Sequence, residues 1–121
     1  MTVEELETTL NKNSGLKGIC QISDMKTVIE KTQDNNNNAK LAQLAFDMFI
    51  AHLRAQICAM RASLKKLDAI IFTAGIGENS SLVREKACEG LEFLGKPAVL
   101  VIKAREDWEI AIQSFQKFRQ V

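Results

Sequence analysis

The sequence predicts an α/β fold, helix-rich and built on a small parallel sheet. Three observations predict it. Asp68 to Thr73 (DAIIFT) and Ala98 to Ile102 (AVLVI) are short, β-branched apolar runs without alternation, the pattern of strands covered on both faces. Between them, Asn79 to Leu94 carries Leu82, Val83, Ala87, Leu91 and Leu94 at helical spacing, and Gly95 followed by Pro97 stops it. Strand, helix and strand in that order make a β-α-β unit, expected to be parallel and right-handed. Ahead of it, Ala39 to Leu64 reads as one long helix of about 26 residues, about 39 Å at 1.5 Å per residue.

The elements follow in order from local signals. Thr2 starts a short helix as its N-cap, with Glu5 as capping-box partner, and the helix runs to about Leu10 before Asn11, Asn13, Ser14 and Gly15 break it. A second short helix begins at Ser23 or Asp24 and carries Met25, Val28 and Ile29. Asp34 to Asn38 holds four consecutive asparagines and reads as a polar loop, the place where disorder is expected. In the long helix, Phe46, Ile50, Leu53, Ile57, Met60 and Leu64 form one apolar stripe, and Leu41, Leu44, Ala45 and Met48 begin a second. Two stripes predict packing on two sides. A last helix, about Arg105 to Phe118, places Trp108, Ala111, Ile112 and Phe115 on one face. Residues 1–121 are thus expected to form a single domain: short helices and loops over 1–38, the long helix over 39–66 and a β-α-β-α unit over 67–121.

Composition narrows the function. Sixteen basic residues against 15 acidic ones give a net charge of +1, so there is no basic footprint for a phosphate backbone and nucleic acid is not an expected partner. No apolar stretch approaches the roughly 20 residues that cross a bilayer, and the acidic start (Thr2, Val3, Glu4, Glu5) is unlike a secretory signal, so no membrane association and a cytoplasmic location are expected. Cys20, Cys58 and Cys88 are odd in number and far apart, which fits small core residues rather than a disulfide framework or zinc site. His52 is the only histidine and lies within an apolar helix, read as a packed or surface side chain. Two strands alone leave sheet edges and faces without cover. The chain therefore reads as part of something larger.

The segment richest in chemistry is Phe72-Thr73-Ala74-Gly75-Ile76-Gly77-Glu78-Asn79, which joins the carboxyl end of a strand to the start of a helix. Parallel α/β sheets bind ligands at that junction. A Rossmann fingerprint would need glycine where Ser80 stands, and a Walker loop would need Gly-Lys-Ser/Thr, so both phosphate cradles fail. The Glu78 carboxylate would repel phosphate but accept hydrogen bonds from ribose hydroxyls or an exocyclic amine, which suits the nucleoside end of a nucleotide. The other reading of the same residues is a glycine turn with Asn79 as helix cap.

Asp68 to Gly95, DAIIFTAGIGENSSLVREKACEGLEFLG, closely resembles the acetate kinase (acetokinase) family. So does Leu10 to Lys26, LNKNSGLKGICQISDMK, and the VLVI run with Arg105-Glu106-Asp107-Trp108-Glu109-Ile110-Ala111 is similar to that family's final strand and acidic motif. The resemblance spans nearly the whole chain in the family's own order. It implies a piece of the C-terminal domain of an acetate kinase, a partial actin-like ATPase (ribonuclease H-like) domain from an enzyme that transfers phosphate between ATP and acetate with Mg²⁺. It further implies that Gly75, Ile76, Gly77, Glu78 and Asn79 contact the adenosine of ATP or ADP. Ser23, Asp24, Met25 and Lys26 match an adenine-pocket motif, and Glu106 matches a Mg²⁺-associated glutamate.

Departures from the family are visible too. Lys26 stands where the family has arginine, and a lysine has no planar guanidinium to stack on adenine. The acidic motif reads Arg-Glu-Asp where Asn-Glu-Glu is usual, the connection from Gly95 to Val99 is short, and one residue fewer lies between Ile19 and Ser23. The family's acetate pocket, catalytic arginines and histidines and first phosphate loop have no match here, so no catalytic residue is assigned. The chain by itself is expected to be inactive and to need a complementary N-terminal kinase portion, with a homodimer as the other expected partnership, since the family's C-terminal domain forms its dimer contact. A reading from a different class is a non-catalytic oligomerisation or interaction module derived from the kinase fold.

Overall fold

A computed structural model describes residues 1–119. Helix α1 (Val3–Lys12) carries the expected capping box: Thr2 Oγ1 accepts from the Glu5 amide at 3.2 Å, and Glu5 Oε2 accepts from the Thr2 amide at 2.7 Å. It buries no residue, so local capping rather than packing defines it. The chain then restarts as a helix that sequence patterning missed, α2 (Gly15–Cys20), whose Leu16, Ile19 and Cys20 lie against the core. Helix α3 (Met25–Lys31) begins at Asp24, whose Oδ2 accepts from the Thr27 amide and hydroxyl at 2.8 and 2.7 Å.

The long helix α4 spans Asn37–Arg61, ending earlier than the expected Leu64. The asparagine run is only partly loop: Asn36 is the N-cap, its Oδ1 accepting from the Ala39 amide at 3.0 Å, and Asn37 and Asn38 form the first turn. The core gathers where α2 and α3 cross α4, around Met25, Val28, Ala42, Ala45, Phe46, Ile50 and Val83. Ala42 and Ala45 are fully buried, because small side chains there let α3 approach closely. Leu41, Leu44 and Met48 are about half exposed, which corrects the expectation of a helix packed on two sides.

After α4, strands β1 (Ala69–Phe72) and β2 (Ala98–Val101) pair in parallel, with Ala69 opposite Ala98 and Phe72 opposite Val101. They form a two-stranded sheet. The strands were expected to be covered on both faces, but β2 buries no residue and β1 only Phe72, because among the described residues no layer covers both faces of the sheet. The helix expected over Asn79 to Leu94 is instead α6 (Ser81–Cys88) followed by a 3-10 turn (Glu92–Leu94), and the glycine segment expected as a loop is itself a short helix, α5 (Ala74–Asn79). Gly90, at φ 81°, adopts the left-handed conformation that ends α6. Asn79 is the last residue of α5 rather than a helix cap; Ser80 is the cap of α6, its Oγ accepting from the Val83 amide at 3.2 Å.

Helix α7 (Glu106–Phe118) follows β2 and buries nothing, with Trp108, Phe115 and Phe118 more than half exposed. In total the chain exposes 9408 Å². A closed monomer of 13.5 kDa exposes about 6,500 Å², so the apolar surface of β2, α7 and the outer face of α4 is left uncovered.

Candidate functional site

The end of β1 turns sharply into α5. The left-handed residue at that turn is Ala74, at φ 59°, and neither Gly75 nor Gly77 takes a positive φ. The two glycines serve different purposes. A Cβ added at Gly77 would touch the Phe72 backbone carbon at 3.4 Å and its Cβ at 3.5 Å, so Gly77 is where α5 packs closely on β1. A Cβ added at Gly75 would meet nothing within 4 Å, because Gly75 faces open space. Gly75→Val, not Gly77→Val, is therefore the substitution that places a branched side chain in the site.

That open space is a cleft of about 720 Å³ between the start of α3 and the β1–α5 turn. Asp24, Lys26, Ile29 and Glu30 line one side, and Gly75, Ile76, Asn79 and Ser80 the other. Two segments distant in sequence, singled out separately, thus share one concavity. Ile29 and Ile76 offer apolar contact of the kind a base or ribose ring accepts, with polar and charged groups around them. Asp24 is exposed, and its hydrogen bonds, first the one from the Thr27 amide, hold its carboxyl below the usual value. It stays anionic while it caps α3.

Several expected site residues sit otherwise. Met25 is 3% exposed and belongs to the core, so its side chain does not face the cleft. Gly77 packs inward, as described. Glu78 is already engaged: its Oε1 accepts from the Ala74 amide and the Ala104 amide, each at 2.7 Å. Asn79 donates from Nδ2 to the Gly75 carbonyl at 2.8 Å, bracing the turn from within. Sequence reading missed Ile29, Glu30 and Ser80 as lining residues. It also missed Arg84, whose Nη1 donates to the Gly77 and Glu78 carbonyls at 2.8 and 3.0 Å and closes the end of α5. An arginine in α6 reads as an ordinary surface residue, and only its reach back across the preceding turn gives it this role.

Glu106 opens α7 at a second, shallower cleft of about 300 Å³, lined also by Ala74, Gly75, Glu78, Ala104 and Asp107. Gly75 borders both clefts. Among the described residues no three metal-ligating side chains come close enough to hold an ion by themselves. Mg²⁺ usually keeps several waters and takes one or two carboxylates together with substrate phosphates, so Glu106 fits as a single contact to a nucleotide-bound ion but not as part of an all-protein site.

The cysteines and the histidine lie apart from these clefts. All three thiols are free and half-buried, burial pushes the Cys88 thiol up, and His52 is exposed. No helix among the described residues is long and apolar enough to cross a membrane.

The model of the acetokinase family matches residues 1–111. The chain is 45% identical to the acetate kinase of Rippkaea orientalis, over 91% of this chain and 32% of that protein. It is 44% identical to the acetate kinase of Gloeothece citriformis, over 98% and 34% respectively. Among solved structures, a propionate kinase from Francisella tularensis superposes with a TM-score of 0.78 at 30% identity, covering 88% of this chain and 32% of that one. The acetate kinase of Entamoeba histolytica superposes with a TM-score of 0.87 at 26% identity, covering 96% and 37%. The chain thus spans about a third of the length of the relatives it matches. Its architecture is that of part of an actin-like ATPase fold, helix-rich with a small parallel sheet.

Proposed function

This chain belongs to the acetokinase family, and on that premise we propose that it carries the adenosine-binding part of an ATP:acetate phosphotransferase. One observation carries the reading: Asp24 and Lys26 line the same cleft as Gly75, Ile76 and Asn79. In the proposed pose the adenine and ribose lie between Ile29 and Ile76, with Gly75 as the open floor. Glu106 would be the residue to contact Mg²⁺ carried with ATP or ADP, and the ion would supply neutralisation of the charge on the phosphates.

The chain by itself is not expected to transfer phosphate. Phosphoryl transfer depends on cations placed around the moving group. The two clefts are lined by the single cation Lys26 against Asp24, Glu30, Glu78, Glu106 and Asp107, an acidic setting that lacks those charges. The uncovered surface points the same way. It exceeds that of a closed monomer by about 2,900 Å², more than three times what one partner contributes to a standard interface. A complementary N-terminal kinase portion, a second copy of this chain, or both would cover it, in the cytoplasm where ATP is supplied. The same surface also favours the second reading, an interaction module that has lost nucleotide binding.

Isothermal titration with ATP and ADP separates the two. The first reading expects saturable binding that Gly75→Val weakens at least about tenfold, as a filled cleft should. Equal affinity in wild type and Gly75→Val, or no binding by the wild type, would sink the nucleoside assignment. Hydroxamate formation from acetate and ATP is expected only when a complementary N-terminal portion of an acetate kinase is added; robust activity of the chain alone would overturn the incomplete-site reading.

A further inference from the structure

One carboxylate bridges the β1–α5 turn and the segment after β2, beyond the last backbone bond between the two, in which the Phe72 carbonyl accepts from the Ile102 amide at 2.9 Å. Glu78 Oε1 accepts from two amides at 2.7 Å: Ala74, in the turn itself, and Ala104, in the segment joining β2 to α7. Ala104 is only partly exposed, and it lies 26 residues from Glu78 in sequence. Two short bonds from neutral amides to one charged oxygen are of the stronger class. Their consequence is geometric. Gly75, next to Ala74, borders both clefts, while Ala104 lies two residues before Glu106 and shares the smaller cleft with it.

We propose that Glu78 is a positioning residue: where the strand ladder stops, its carboxylate ties the β1–α5 turn to the segment between β2 and α7, so that the Gly75 floor of the larger cleft and Glu106 at the start of α7 keep a fixed separation. The proposal rests on the nucleoside reading for its functional consequence, though the tie itself does not. It also divides the carboxylate, since Oε1 is filled by the two amides and only Oε2 is left to a ribose hydroxyl. Binding in the larger cleft and orientation of Glu106 are then coupled through one side chain rather than set independently by two loops.

The test compares the full chain with Glu78→Ala and Glu78→Gln, reading amide exchange and proton shifts of Ala74 and Ala104 by NMR, and ATP affinity by titration. In Glu78→Ala, exchange at Ala104 is expected to accelerate at least about tenfold and ATP affinity to fall about tenfold. Glu78→Gln keeps an acceptor oxygen of the same reach and should restore most of both, which a generally loosened fold would not do. Should Glu78→Ala fail to fold, Glu78→Asp, too short to reach both amides, takes its place. Unchanged exchange at Ala104 in the truncated variant overturns the tie. Lost protection with undiminished ATP affinity overturns the positioning role. Affinity lost equally in the Ala and Gln variants with both amides still protected means that the charge touches the ligand, and also overturns it. A wild type that binds no ATP removes the nucleoside reading alone, and the exchange comparison still decides the tie.

Discussion

The two halves of the molecule solve the same problem differently. In the helical half, α2 and α3 lie across α4 and close a core in which Val28, Ala42 and Ala45 have no exposed surface. In the sheet half, β2 and α7 bury no residue, although Val99, Leu100, Trp108 and Phe115 are as apolar as anything in the core. Apolar content therefore does not decide burial; the presence of a facing layer does. The first half covers its own core, though not the outer face of α4, and the second leaves β2 and α7 uncovered. The candidate nucleoside cleft lies at the seam between them, with one wall on the closed half and the other on the open one.

The sharpest way to break the comparison is to truncate one aromatic residue in each half. Phe46, 5% exposed, should cost about 3–5 kcal/mol on replacement by Ala, the usual range for emptying a packed aromatic site. Phe115, 60% exposed, should cost no more than about 0.5 kcal/mol on the same change in the chain alone. Urea midpoints measure both. Equal losses would mean that α7 packs in solution and that the open half is closed after all.

A second test asks whether the outer face of α4 is covered by a copy of the same chain. Leu41, Leu44 and Met48 lie on that face, whereas Phe46 and Ile50, on the other stripe, are buried within the chain. Sedimentation is expected to show a dimer at micromolar concentration, with Leu44→Asp weakening it about a hundredfold because a carboxylate would have to be desolvated at the interface. A wild-type monomer at all accessible concentrations would leave a complementary kinase portion as the cover for this face.

What sequence reading recovered follows the same division. Capping signals are local, so Thr2 with Glu5 is legible residue by residue, and Asp24 is one of the two starts the sequence allows for α3. Strand pairing and the shared cleft of Asp24, Lys26 and Gly75 were reached through strand order and family resemblance. On α4 the first stripe is buried as expected at Phe46 and Ile50, while the second is buried at Ala45 and not at Leu41, Leu44 or Met48, because helices approach where side chains are small. Helix α2 was hidden by Gly15 and Gly18, which read as breakers when taken singly. Nothing local announces that Glu78 bonds to Ala104 or that Arg84 closes α5, because both depend on where the chain returns. Met25 enters the expected site as the third position of the motif matched by Ser23, Asp24 and Lys26, but helical rotation turns it into the core.

A smaller effect concerns acid. Hydrogen bonds, chiefly from the Thr27 amide, keep the Asp24 carboxyl below its ordinary value of 3.8. Because the folded pKa lies below the unfolded one, the carboxylate's contribution is full above the unfolded value and is lost as pH falls through the folded one. Thermal midpoints taken between about pH 5 and about pH 2 should therefore fall less steeply in Asp24→Asn than in the wild type. Glu89, lowered mainly by its hydrogen bond with Lys86, acts in the same direction, so the double variant should be flatter still. Parallel acid profiles in wild type and Asp24→Asn would mean that the cap is not formed in solution.

The smallest expected effect is at Ala74, where the open half holds local strain. Its φ of 59° is a conformation that an L-residue with a Cβ adopts at a cost, and glycine adopts freely. The turn keeps this shape because the Ala74 amide is bonded to Glu78 and Gly77 packs on Phe72, so neighbouring contacts over-determine it. Ala74→Gly should relieve the strain and raise stability by about 0.5–1 kcal/mol, since the relief outweighs the added freedom of glycine in the unfolded chain. The same change in Glu78→Ala should stabilise less, because without the carboxylate the turn can relax and the strain is no longer imposed. A double-mutant cycle on the urea midpoint measures this difference. Equal gains in both backgrounds would show that the turn is strained by its packing on β1 alone, with no part played by the tie to β2.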